Sequence, residues 1–189
     1  QAFTLAADTL NNHHAKLLSE QGLTVRIAHA LDNTQGLISA KTLDVRAASL
    51  ANQGGTLSAG DGLIAQIDGA LDNRSGKLLA RTASVNSTSL DNREGLLQGD
   101  AILSLNSVGL IDNRQGTLFA GQAMDITATR LDNSGGKLTS DGRLTALISA
   151  HLLNQAGLFS ATGPLRVSAA SLDNSAKGNI HSQAGVDLD

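Results

Sequence analysis

Apolar residues recur along this chain in two short alternating runs per repeat. One run follows a glycine, as in Leu57-Ser58-Ala59, Leu78-Leu79-Ala80 and Leu138-Thr139-Ser140. The other precedes a Leu-Asp-Asn tripeptide, as in Leu43, Val45, Ala47 or Leu165, Val167, Ala169. Alternation of period two predicts strands with one buried face, not helices. Leu-Asp-Asn stands at 31–33, 71–73, 90–92, 131–133 and 172–174, with variants Leu10-Asn11-Asn12, Leu50-Ala51-Asn52, Ile111-Asp112-Asn113 and Leu152-Leu153-Asn154. Its last Asn falls at 12, 33, 52, 73, 92, 113, 133, 154 and 174, so successive copies lie 21, 19, 21, 19, 21, 20, 21 and 20 residues apart.

Three residues beyond that Asn comes Gly36, Gly55, Gly76, Gly95, Gly116, Gly136 or Gly157; Ala15 replaces it in the first copy and Lys177 displaces Gly178 by one in the last. Asp-Asn-x-x-Gly is turn chemistry: Asp and Asn bond to nearby backbone, and Gly is expected to supply positive φ. Further turns are expected at Gly60-Asp61-Gly62, Ser140-Asp141-Gly142 and Thr162-Gly163-Pro164. A repeat of strand, corner, strand, corner is too short for a helix and cannot bury its apolar face alone, so it must stack on its neighbours. The prediction is an all-β parallel β-helix solenoid of nine coils, one per Asn. Twenty residues trace roughly 60 Å around each coil, and nine coils rise about 43 Å. In the 21-residue copies, one extra residue is expected between the second strand and the Leu-Asp-Asn corner. The chain starts and stops inside the pattern, which predicts a single repeat domain over 1–189, cut from a longer protein.

Composition fits a narrow aliphatic core. There are three Phe, no Trp and no Tyr, whereas a wide globular core draws on aromatics. No Cys is present to form a disulfide or a thiolate metal site. The net charge of −3 comes from interspersed charges, which points away from nucleic acid as a partner.

Candidate chemistry concentrates beside the corner. Stacking brings Asn33, Asn52, Asn73, Asn92, Asn113, Asn133, Asn154 and Asn174 into a column, predicting a structural amide ladder. Next to it Asp72, Asp91, Asp112 and Asp132 form an acidic column, whose carboxylates are expected to accept turn N–H groups rather than to hold Ca²⁺. Arg74, Arg93 and Arg114 follow the Asn on three successive coils. They are candidates for gripping sulfated glycans or carboxylates, the plainer reading being compensation of the Asp column. His13 and His14 are expected on opposite faces of a strand and the other His lie far off, so neither a metal nor a cofactor is expected. No Gly-x-Ser-x-Gly elbow and no phosphate-binding loop occurs. Parallel β-helices that cleave acidic polysaccharides carry long loops over a groove. Coil lengths here vary by two residues, so no cleft and no enzyme is expected. Asn73-Arg74-Ser75 and Asn86-Ser87-Thr88 match the glycosylation sequon.

The pattern Leu-Asp-Asn-x-x-Gly-x-Leu, a small residue, then a second strand resembles the adhesin repeats of filamentous haemagglutinin and related two-partner secretion exoproteins, over essentially the whole chain. The resemblance implies a right-handed β-helix that crosses the outer membrane unfolded through a dedicated transporter and forms a fibre at the bacterial cell surface. There it would meet a receptor or glycan on a host or neighbouring cell. The same repeats build stalks of contact-dependent growth-inhibition toxins, so attachment and toxin presentation both follow from the likeness. Open terminal coils add an expectation of end-to-end self-association.

Overall fold

The computed structural model describes residues 2–189. They form nineteen strands and no helix, and every strand pairing is parallel. Each strand lies against its counterpart one coil away, so Leu37 faces Thr56 and Leu43 faces Leu63. The sequence-predicted parallel solenoid with about twenty residues per coil is the fold observed.

Three sheets run the length of the stack. The first is made of the segments after the glycine, such as Leu37–Ala40, Thr117–Ala120 and Lys137–Ser140. The second holds three inward residues per coil, such as Leu23, Val25 and Ile27 within Gly22–Asp32. The third is the short segment ending in Leu-Asp, such as Ala70–Asp72. Inward positions of all three meet in one core, where Ile38, Leu57, Leu78, Leu97, Leu118, Leu138 and Phe159 form one fully buried column of the first sheet. A coil this narrow is filled by single aliphatic side chains meeting across the axis, so the scarcity of aromatics is a matter of volume.

Several local expectations change. Gly60-Asp61-Gly62 is not a break: Thr56–Ile67 is one strand, and the chain bends there through a register shift between Ala59 and Gly62. A bulge turns a strand without giving up its ladder. The extra residues fall at two bends rather than one. Between the last inward residues of the first sheet and the first of the second, the step is three residues at Ala40 to Leu43 and four at Ala59 to Leu63. Between the second sheet and the third, the step is four at Ile27 to Leu31, three at Ala47 to Leu50, four at Ile67 to Leu71 and three at Ser87 to Leu90. This alternation continues through Ser107 to Ile111, Ala128 to Leu131 and Ile148 to Leu152, so wide and narrow bends follow each other coil by coil. A 19-residue coil has two three-residue steps, and a 21-residue coil has two four-residue steps.

The corner glycine also has a different reason. Gly36, Gly76 and Gly116 are not in the positive-φ region; the residue before each is, with φ of 53° at Gln35, 53° at Ser75 and 58° at Gln115. The glycine is required for space. A Cβ on Gly116 would lie 2.1 Å from the Asn92 carbonyl oxygen of the preceding coil and 2.6 Å from Asn113 Oδ1. In the last corner Ala176 and Lys177 both take positive φ, and the longer turn returns Gly178 to the same place, 2.2 Å from the Asn154 carbonyl by the same measure. His13 and His14 sit in the first corner turn, not on a strand, with rings 4.1 Å apart.

A left-handed non-glycine residue costs roughly 1–2 kcal/mol, against which glycine's greater freedom when unfolded costs about 0.5–1 kcal/mol. Ala156, at φ 53°, has no side chain to lose beyond its methyl. Ala156→Gly is therefore expected to stabilise the chain by about 0.5–1 kcal/mol, read from the urea midpoint at unchanged m-value.

Candidate functional site: the corner columns and the bend groove

At each corner the backbone N–H of the Asn donates to the carbonyl of the residue before the next coil's Asn, as Asn52 does to Asp72 at 2.7 Å. That bond seats the side chain inward. From Asn12 to Asn174, every Asn Nδ2 donates to the Oδ1 of the Asn one coil on, at 2.7–2.8 Å in all eight steps. Each Nδ2 also reaches two carbonyls, Asn113 those of Gly116 and Lys137 at 3.3 Å. Asn33, Asn52, Asn73, Asn92, Asn113, Asn133 and Asn154 are fully buried. The structure adds Asn12 as the first rung, a residue whose spacing was visible but whose copy lacks the glycine. Asn73, in the first sequon, is locked in this ladder, whereas Asn86, in the second, points outward.

The Asp column lies one residue earlier at the rim of the corner, half-buried at Asp32, Asp72, Asp91 and Asp132 and buried at Asp112. Asp32, Asp72, Asp91, Asp112, Asp132 and Asp173 each accept the N–H two residues on, at 2.8–3.2 Å. Arg74, Arg93 and Arg114 fold back onto their own coil's Asp, with Nη2 to Oδ2 distances of 2.7, 2.6 and 2.7 Å. Their Nε atoms also lie 3.6–3.7 Å from the Asp of the next coil. The result is a zigzag of charge from Asp72 to Asp132, continued upstream by Gln53, which donates to Asp72 at 2.7 Å and accepts from Thr34 at 2.9 Å. The structure brings the three Arg together, but with four Asp carboxylates between them and Glu94 alongside the edge is net acidic. It is not a bare cationic surface for an anionic glycan.

Burial pushes the Asp72 and Asp112 carboxyls up, but the hydrogen bonds from Arg74 and Arg114 and from the turn N–H outweigh it, leaving both below the ordinary carboxylate value. A depressed folded-state pKa contributes stability above the unfolded value, about 3.9, and that contribution is lost as pH falls through the folded value. With respect to these groups, stability is expected to be flat near neutrality and to fall below about pH 4. Arg114→Ala should cost less than about 1 kcal/mol at pH 7, because the guanidinium is half exposed, and should move the acid loss to higher pH by leaving only the turn N–H and Arg93 to oppose burial at Asp112. Thermal melts from pH 2 to 7 on both proteins check this; identical profiles would contradict it.

A second feature was not legible in the sequence, where short corners implied no cleft. Three shallow depressions run end to end along the bend between the second and third sheets. The first two share Gln66 and Asp68, and the second two share Asn106 and Val108. One wall is the outward column Arg26, Arg46, Gln66, Asn86, Asn106 and Thr127, each paired in register with the next. The other wall is the bend itself, including Asp68, Thr88, Val108 and Thr129. The concavity comes from the angle between two sheets and needs no long loop.

No curated protein and no solved structure matches the chain. A family model described as the haemagglutinin repeat matches residues 2–75, 51–150 and 145–189, so the overlapping matches span 2–189. Together with the coil period and the corner it repeats, this places the chain in the haemagglutinin repeat family.

Proposed function

We propose that this chain is shaft of a secreted filament at the bacterial cell surface, contributing to attachment, and that it has no catalytic role. The observation that carries the reading is an unbroken stack of nine corners joined by one amide ladder, with coils of 19–21 residues throughout. Such a stack supplies length and stiffness, since each coil touches only its neighbours and the whole is a rod. Export through an outer-membrane two-partner secretion transporter suits a chain with no cysteine, whose coils can form one upon another as they emerge. Deleting that transporter in the parent bacterium is expected to remove the repeats from the surface and to abolish attachment. Attachment persisting without surface repeats would sink the reading.

The uniformity of the coils also suits a spacer, the stalk of a contact-dependent growth-inhibition toxin. In that case competition against a neighbouring strain lacking an immunity protein would show killing, lost with the same deletion; an adhesin would leave neighbours growing.

At both ends of the stack the apolar ladders face solvent, with Phe3 52 %, Val186 43 % and Leu188 54 % exposed. This chain is expected to associate end to end at high concentration. Sedimentation velocity showing a strict monomer over a wide concentration range would contradict that.

A further inference from the structure

We infer that the bend groove, over its uncharged half, is a binding site for a neutral, extended polysaccharide lying along the filament axis. The inference deepens the attachment reading by naming a ligand class.

The first support is electrostatic. Charged residues dot most of this surface, yet from Asn86 to Ser168 the groove lining holds none, and Asp68 marks the boundary at one end. A charge-free strip disfavours sulfated or uronic chains and leaves hydrogen bonding and apolar contact as the means of recognition.

The second support is the disposition of polar groups. Asn86 and Asn106 stand side by side on the wall, outward and without side-chain partners among the described residues. Beneath them Ser87 and Ser107 replace the inward apolar residue that other coils place there, such as Ile67 or Ile148. Two successive coils thus give up core packing for hydroxyls at the groove floor. The Ser107 hydroxyl donates to the Thr88 carbonyl at 3.1 Å, and Thr88 Oγ1 to the Asp68 carbonyl at 2.6 Å, so the opposite wall is held in place by its own bonds. The outward amides remain as donors and acceptors for a hydroxyl-rich ligand.

The third support is the apolar complement. Val108, at 74 % the most exposed large hydrophobic residue, and Leu147, at 42 %, both line this half of the groove. A pyranose ring has polar edges and apolar C–H faces, and the groove offers both.

The fourth is spacing. Coils advance by about 4.8 Å, close to the length of one ring in an extended, equatorially linked chain. An extended peptide advances by about 3.4 Å per residue and falls out of step within two coils. In such a polysaccharide alternate rings face opposite ways, as wide and narrow bends alternate along the groove wall.

The test is calorimetric titration of the purified chain with hexamers of β-1,4-linked glucose and of β-1,4-linked N-acetylglucosamine, with a heparin hexasaccharide as the charged comparison. At least one neutral hexamer is expected to bind. The Asn86→Ala, Asn106→Ala double variant should weaken it by about tenfold or more, and Val108→Glu should do likewise. Arg74→Ala should leave it unchanged, and melting curves should show all variants folded, since the altered side chains point outward. No binding of either neutral hexamer, equal binding by the double variant, or binding of heparin alone would overturn the assignment. Because purified oligosaccharide is titrated into purified chain, failure here leaves the cell-attachment test standing.

Discussion

Replacing Asn113 with Ala is expected to destabilise the stack by about 3–4 kcal/mol, among the largest effects of any single side-chain truncation in this chain. Asn113 accepts from Asn92 at 2.7 Å and donates to Asn133 at 2.7 Å, with no exposed surface. Its removal leaves Asn92 Nδ2 without its shortest acceptor, Asn133 Oδ1 without its donor, and the Gly116 and Lys137 carbonyls each one bond short. Each group stranded in a dry corner costs about 1–3 kcal/mol, tempered where relaxation or water restores part of the bonding. Asn113→Asp keeps the shape but not the donors, and should be at least as harmful. Hydrogen exchange is the sharper readout: amides of the coils carrying Asn92 and Asn133 should lose protection first, because in a one-dimensional stack the damage is local. Uniform loss of protection over all nine coils would contradict the ladder's local role.

Gly116→Ala is expected to cost about 3 kcal/mol or more, although it adds one methyl group and removes no bond. The methyl would meet the Asn92 carbonyl at 2.1 Å, a backbone atom fixed by its own turn bond from Gly95 at 3.0 Å. Relief requires the two corners to part, which opens the ladder between them. Ala15 supplies the internal control: it holds the same corner position in the first coil, where no described coil precedes it to supply a carbonyl. Ala15→Gly should therefore change the urea midpoint little. Gly116→Ala matching the small effect of Ala15→Gly would overturn the steric reason given for the glycine.

That contrast marks where sequence reading stops. The period, the parallel stacking and the inward columns were legible because each follows from a spacing and the alternation of side chains along a strand. The recurring glycine was legible, but its reason was not: a glycine needed for positive φ and one needed for space look alike in a sequence, and the atom that decides lies a coil away. The left-handed position one residue earlier carries His14, Gln35, Ser75, Glu94 and Ala156, with no common residue type to reveal it. Arg74, Arg93 and Arg114 were found by spacing, but whether their guanidinium groups face outward or back onto Asp72, Asp91 and Asp112 depends on rotamers. The groove depends on the angle between two sheets, which residue type does not encode.

The alternation of wide and narrow bends has a bearing on how such a filament changes length in evolution. Excising or duplicating one coil joins two bends of the same width and shifts everything beyond it out of phase. Excising or duplicating a pair restores the phase. Gain and loss should therefore be tolerated in steps of two coils, about 9.6 Å of rod at a time. The unit of inheritance would then be twice the unit of folding.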